Sequence, residues 1–314
     1  MQTAADSAPA PALARHAPRG KARRAPGKTR TITPYLFLLA PLVLLVTFTY
    51  VPVVEMLGFS LTSWDGLDPA KKFVGLDNYI EIFARPELFE VLKVSLYYIA
   101  ASIVQILLAL YFATVLSFNV RFRNLFKGIL FFPYLINGVA IGMIFLYFFQ
   151  PGGTLDAALG AIGLDGASEQ WLGDPDIINF SLSGTSVWRY LGLNFVLFLG
   201  AIQSIPSQLY EAAEIDGAGR WHQFTHLILP GIRPIVGLSF ILAISGSLSV
   251  FEIPWIMTTG ANGSETFVIQ TVSLAFKYYK VGLASAMAVV LLLIVLLFTY
   301  VQRRILPDEK VVKS

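Results

Sequence analysis

Residues 211–230 read Glu211-Ala-Ala-Glu-Ile-Asp-Gly217-Ala-Gly-Arg-Trp-His-Gln-Phe-Thr-His-Leu227-Ile-Leu229-Pro230. The stretch is polar and rich in helix formers, yet it lies between two runs apolar enough to cross a bilayer. Such a segment cannot face hydrocarbon, where unpaired polar groups are costly. Its patterning is also denser than a plain connecting loop requires. It reads as a compact docking element on one face of a membrane, and the rest of the chain is laid out around it.

The 314 residues are 55% hydrophobic and 14% charged, with a mean hydropathy of +0.66. Several apolar runs reach the roughly 20 residues that a helix needs to cross hydrocarbon. Barrel strands would alternate over about 10 residues, so continuous runs select helices. The expected fold is an all-α polytopic membrane protein of six spans: Pro34 to about Phe59, then about 94–117, 125–149, 184–204, 233–257 and 281–302. The first run is longer than the roughly 7–15 residues of a signal-peptide core and lacks a small-residue cleavage pattern, so it reads as a retained span. Residues 1–33, rich in Ala, Pro and Arg, read as a disordered basic tail. Residues 34–305 form the membrane domain, with the docking loop at 206–230, and 306–314 a short tail.

Lys and Arg in short loops set the orientation. With six crossings, the N-terminal tail, the connection holding Arg121, Arg123 and Lys127, the docking segment with Arg220 and Arg233, and the C-terminus share one side. The segment from Gln150 to Val187 lies on the other side, with Asp156, Asp165, Glu169, Asp174 and Asp176 and no Lys or Arg. Both termini and the docking segment are therefore expected in the cytosol, in a bacterial plasma membrane. Lys71, Lys72, Lys277 and Lys280 on the outer side weaken this bias without reversing it. Two outer stretches look ordered. Leu76, Tyr79, Ile80 and Phe83 form one helical face suited to an interface, and Thr154 looks like the cap of a short helix.

Within the docking segment, Pro206 suits a first helical turn. Leu209, Ala212 and Ala213 share a face, and Gln208, Glu211 and Glu214 another. The small alanines let a second surface approach the backbone closely. Gly217 and Gly219 interrupt the helix, at up to about 1 kcal/mol each relative to Ala. Beyond them Trp221, Phe224, Leu227 and Ile228 recur at helical spacing, giving a second short helix that Pro230 is expected to end. The sum is a helix, a bend and a helix: a knob.

Glu-Ala-Ala, three residues, Gly217, nine residues, then Leu227-x-Leu229-Pro230 resembles the EAA loop of ATP-binding-cassette (ABC) importer permeases. Phe73-Val-Gly-Leu-Asp-Asn-Tyr79, Phe132-Pro-Tyr134, Gln203-Ser-Ile-Pro206 and Met257-Thr-Thr-Gly260 resemble the carbohydrate branch, similar to the maltose and glycerol-3-phosphate permeases. Leu227 stands where isoleucine is usual, and the large outer domain of the maltose permease has no counterpart here. The resemblance implies the type I importer permease fold and a coupling role for Glu211, Ala212, Ala213, Asp216, Gly217, Trp221, Phe224, Leu227, Leu229 and Pro230. It also implies a second homologous permease subunit, a cytosolic ABC ATPase dimer holding ATP and Mg, an extracytoplasmic solute-binding protein, and surrounding lipid. Along the substrate path it implies Tyr134, Gly138, Tyr190 and Ser247. Asn137, Asn194 and Phe251 join them by side-chain chemistry, because sugars are held by hydrogen bonds and aromatic faces. Ser and Asn in spans also serve plain interhelical bonding, and Gly138 with Gly142 suits helix packing.

Nothing in the sequence assembles an enzyme, a nucleic-acid interface or a bound cofactor. The absence of cysteine removes thiolate metal sites, and His222 with His226 has metal spacing but no evident third ligand. No phosphate-binding loop is present, so ATP belongs to another chain. The alternative is an ion-gradient-driven secondary transporter of small polar solutes, which calls for inverted repeats, broken helices and buried carboxylates. Glu252 is an acid within a span, and Arg189, near the outer end of another, leaves an anionic substrate open.

Overall fold

The computed structural model describes residues 33–118 and 121–305. The tails expected over 1–33 and 306–314 fall outside them, Thr33 apart. The chain separates into two units, Met1–Val51 and Pro52–Ser314. In the first, helix α1 (Thr33–Leu45) passes into a π turn, Val46–Tyr50. Every side chain from Pro34 to Tyr50 is exposed, the apolar exterior expected of a segment that meets lipid or another membrane helix.

The second unit holds α2 (Val51–Phe59) from Pro52 onward, followed by α3 (Asp77–Ala84), α4 (Pro86–Glu90) and the long α5 (Leu92–Ser117). Then come α6 (Arg123–Leu135), α7 (Gly138–Phe149), α8 (Thr154–Ala161) and the long α9 (Ile178–Gln203). The docking segment gives α10 (Ser207–Ile215) and α11 (Arg220–Gln223), with α12 (Leu229–Leu248), α13 (Glu252–Thr258), α14 (Phe267–Phe276) and α15 (Val281–Ile305) closing the chain. Among the described residues, five helical stretches are long and apolar enough to cross a membrane. A sixth crossing requires α6 and α7 to count as one span, and these meet at 97°. The run expected as one span over 125–149 is therefore broken. Pro133 withdraws an N–H near the end of α6, and Asn137 starts α7 afresh by accepting the Val139 N–H at 2.8 Å.

Two prolines that should stop helices do not. The π turn Val46–Tyr50 precedes Pro52, and a second, Phe224–Ile228, precedes Pro230. In each the closing N–H bonds five residues back, Val51 to Val46 and Leu229 to Phe224. A proline ring strikes the carbonyl four residues before it. Widening the helix by one residue over that carbonyl relieves the contact. So Pro230 does not end the second helix of the knob, as its sequence context suggests. The chain runs helically from Arg220 into the span that follows.

The core is built on α5 and α9. Ala109 and Ala113 on α5 are fully buried and let α9 approach, with Phe195, Phe198 and Ile202 filling the seam against Ile228 and Ile232. At the opposite end the connecting segments brace one another. Asn78 on α3 donates to the carbonyls of Ser60 and Thr62, both at 2.8 Å, and Asn262 to that of Leu172 at 3.0 Å. Leu76, Ile80 and Phe83 remain uncovered, as the expected interfacial face requires, while Tyr79 turns inward to hydrogen-bond Ser60.

Thr154 is not the cap of α8; Gly153 occupies that position and no side chain caps it. Asp156 organises this loop instead, accepting Trp171 Nε1–H at 2.9 Å and the Gly152 N–H at 2.8 Å. The Trp171 bond, then the Gly152 bond, hold its carboxyl below the usual carboxylate range. A depressed native pKa stabilises the loop above the unfolded pKa, about 3.9 for Asp. That contribution is lost as pH falls through the lower native value. Trp171 emission, isolated by difference against Trp171→Phe, should thus stay constant from neutral pH to about 4 and shift only below it. In Asp156→Ala the shifted emission should be present already at neutral pH.

Candidate functional site

The knob is built from backbone geometry. Gly217 ends α10 with φ +77°, a conformation natural to glycine. Its N–H donates to Glu214 O at 3.0 Å, and the Ala218 N–H reaches back to Ala213 O at 2.8 Å. This pair of bonds is a Schellman cap. Gln223, buried, donates to Ala218 O and ties the bend to α11. Arg220 lies over the Phe118 ring at 5.1 Å, joining the knob to the end of α5. The knob and the basic connection after α5 therefore occupy the same end of the molecule, as the charge distribution requires.

No residue of α10 is buried. Glu211, Ala212, Asp216 and Gly217 are exposed, and Ala213 is half-buried. Large apolar side chains are exposed on this polar surface; Ile215, 86% exposed, and Trp221, 72% exposed, are the most uncovered, ahead of Leu209 at 48%. Trp221 and Phe224 are neighbours, with ring centroids 5.6 Å apart, but they face different ways. Phe224 packs against the core, with Ile228 fully buried beyond it. Leu227 is half-buried, and Leu229 and Pro230 are exposed. Ile215 was not singled out from sequence; its place beside the acidic face of an amphipathic helix conceals it. His222 and His226 stack at 5.2 Å, and among the described residues no cluster of three His, Asp or Glu side chains forms.

A cavity of about 490 Å³ opens between α5, α9 and the break separating α12 from α13. That volume lies within the range of small-molecule sites. Tyr190, Asn194, Ser247 and Phe251 all line it, four of the seven positions expected on the substrate path. Tyr134 stands behind Tyr190, with ring centroids 6.5 Å apart. Asn137 does not line the cavity; its carboxamide oxygen caps α7. Tyr98 and Ser239 also line the cavity, and their buried hydroxyls have no hydrogen-bond partner among the described residues. Both escaped the sequence reading because Tyr and Ser in a span carry no local signal of which way they point.

Gly138 packs against an ion pair. Arg189 Nη1 on α9 donates to Glu252 Oε2 at the start of α13, at 2.6 Å. A Cβ on residue 138 would overlap both the carboxylate and the guanidinium. One turn on, a Cβ on Gly142 would lie 2.7 Å from Ile256 Cγ2. The small-x-x-x-small pair is thus a packing surface, seating α7 against Glu252 and Ile256 of α13. Both half-helices begin at a break in a span, and the break at Val250 is satisfied by Thr266 Oγ1, which donates to Val250 O at 2.8 Å. Irregular backbone is tolerated at membrane depth where it borders a cavity and keeps its partners.

Apolar helices of spanning length, a broken span at the wall of a largely apolar cavity that carries a few polar groups, and an uncovered knob outside the spans define the membrane-embedded subunit of a transporter. Residues 105–311 match the family described as "Binding-protein-dependent transport system inner membrane component", and the chain belongs to that family. It is 35% identical over 285 residues to "Probable ABC transporter permease protein YurN" of Bacillus subtilis, covering 89% of this chain and 97% of that one. Against the "Multiple sugar-binding transport system permease protein MsmF" of Streptococcus mutans it is 30% identical over 264 residues, covering 83% and 90%. A chain in the crystal structure of a bacterial ABC transporter involved in import of the acidic polysaccharide alginate superposes with a TM-score of 0.75. The identity there is 25%, covering 88% of this chain and 96% of that one.

The protein is accordingly a multi-pass ABC permease of a binding-protein-dependent importer, with the helical fold that its sequence resemblance implies. Broken helices, a mark expected of the ion-gradient alternative, are present at α6–α7 and α12–α13. They do not favour it, because family membership places the chain among binding-protein-dependent systems.

Proposed function

We propose that this chain forms half of the pore of an ATP-driven carbohydrate importer and receives its energy through the knob at 206–230. The observation that carries the reading is the pair Ile215 and Trp221, apolar side chains exposed on a polar element that a Schellman cap holds rigid. Their solvation is unfavourable until a partner covers them. A cytosolic ABC ATPase dimer, holding ATP and Mg, supplies that cover. A second homologous permease completes the pore, and an extracytoplasmic solute-binding protein delivers substrate. Both termini then lie in the cytosol.

Closure of the ATPase dimer moves the knob as a rigid body, and α11 carries the motion without interruption into α12. The break between α12 and α13 lies at the cavity wall. A displacement at the knob therefore reaches the cavity, which is the coupling between two sites that alternating access requires. A carbohydrate cargo is supported by the aromatic and hydroxyl lining, Tyr98, Tyr190, Phe251, Asn194 and Ser239, and by the sugar-related names of its relatives.

In membranes co-expressing the whole transporter, Ile215→Asp with Trp221→Ala should reduce ATPase co-purification about tenfold or more. Expression and membrane insertion of the permease should be unchanged. Undiminished ATPase recovery would show that the knob is not the energy input.

A further inference from the structure

We propose that Glu252 is a charge-selecting residue of the cavity, admitting uncharged carbohydrates and turning away acidic ones; this rests on the carbohydrate reading above. Arg189 alone would suggest the opposite. The structure orders the two groups in depth. Glu252 lines the cavity and its side chain is 42% exposed, whereas Arg189 does not line it and is 12% exposed. The guanidinium is enclosed by the Glu252 carboxylate, by Gly138, and by the Tyr190 ring at 5.0 Å from its Cζ. A solute therefore meets the carboxylate in front and not the cation behind it.

Among the described residues no Lys, Arg or His lines the cavity, and Glu252 is its one charged lining residue. For a neutral sugar this wall is favourable, since a carboxylate accepts hydrogen bonds from hydroxyls and such charge-assisted bonds are the stronger kind. Tyr98 OH and Ser239 Oγ, both unpartnered, add further hydrogen-bonding groups to the cavity wall. A uronate or sugar phosphate would bring a second negative charge toward Glu252 in a site of low effective dielectric. Discrimination comes from repulsion of the wrong solute as much as from attraction of the right one.

The test uses the assembled transporter in nanodiscs without its solute-binding protein, so that the cavity alone selects. Equilibrium binding is measured for matched pairs: glucose with glucuronate, galactose with galacturonate, cellobiose with cellobiouronate. Wild type should bind the neutral member of at least one pair about tenfold more tightly than the acid. Glu252→Gln leaves Arg189 uncompensated and should bring the pair to within about threefold or reverse it. Should that variant fail to assemble, Glu252→Gln with Arg189→Gln removes the filter without stranding a buried charge, and should also lie within about threefold. Acid bound as tightly as neutral sugar by wild type, or a preference unchanged in the variants, would overturn the filter and leave the carbohydrate reading standing. Binding of neither series to wild type would overturn the carbohydrate reading and the filter with it.

Discussion

Gly138→Ala is expected to cut transport severely while leaving the knob and its ATPase contact intact. The added methyl group would occupy the space of the Arg189–Glu252 pair, whose atoms are side-chain ends able to swing away. Relief therefore comes from breaking the pair and not from moving α7. Arg189 then loses its one acidic partner while remaining 12% exposed. Overpacking of this kind costs about 1–3 kcal/mol, and stranding a buried cation adds to it. The purified complex should melt several degrees lower and transport should fall by at least about tenfold. Gly142→Ala is the informative comparison. It crowds Ile256 Cγ2 and Cβ, at 2.7 and 2.9 Å, without touching a charge. Both substitutions should lower the melting temperature, but Gly138→Ala alone should change the preference between neutral and acidic sugar. Equal loss in the two would mean that packing of α7 on α13, and not the ion pair, controls the cavity.

The same residues show what a sequence discloses and what it withholds. The knob was legible because its determinants are local: Gly217 four residues after Ala213, Trp221 and Phe224 three residues apart at helical spacing, all within a polar stretch between apolar runs. Of the four expected positions that line the cavity, Tyr190 and Ser247 came through the family resemblance, and Asn194 and Phe251 through the hydrogen-bonding and aromatic chemistry a sugar needs. The ion pair was not, since Arg189 and Glu252 are 63 residues apart and meet only through the packing of three helices. Hydropathy also hid the break at Ile136–Asn137, because an apolar run reads alike whether straight or bent at 97°. Pro133 was visible, but a proline in a span does not by itself distinguish a kink from a stop. Pro230 failed in the other direction. Its helix persists because a π turn moves the obstructing carbonyl, an adjustment that no residue type announces.

Gly217→Pro is expected to abolish transport and substrate-stimulated ATP hydrolysis without impairing membrane insertion. Gly217 sits at φ +77°, whereas proline is fixed near −65°. Proline also lacks the N–H that Gly217 donates to Glu214 O, and it disfavours helical geometry at Asp216 before it. The Schellman cap cannot form, so α10 loses its fixed angle to α11, and Ile215 and Trp221 no longer share one surface. Nothing lies within 4 Å of a Cβ built on Gly217. Crowding within this chain is therefore excluded as the cause, and backbone conformation sets the order expected below. That separation makes a graded series possible. Gly217→Asn, which tolerates positive φ, should retain most transport. Gly217→Ala should be intermediate, at about 1–2 kcal/mol for the left-handed conformation. The order Gly, Asn, Ala, Pro in transport rate, at constant permease level in the membrane, would establish that a rigid bend transmits the motion. Wild-type transport in Gly217→Pro would show that the bend is dispensable and that energy enters elsewhere.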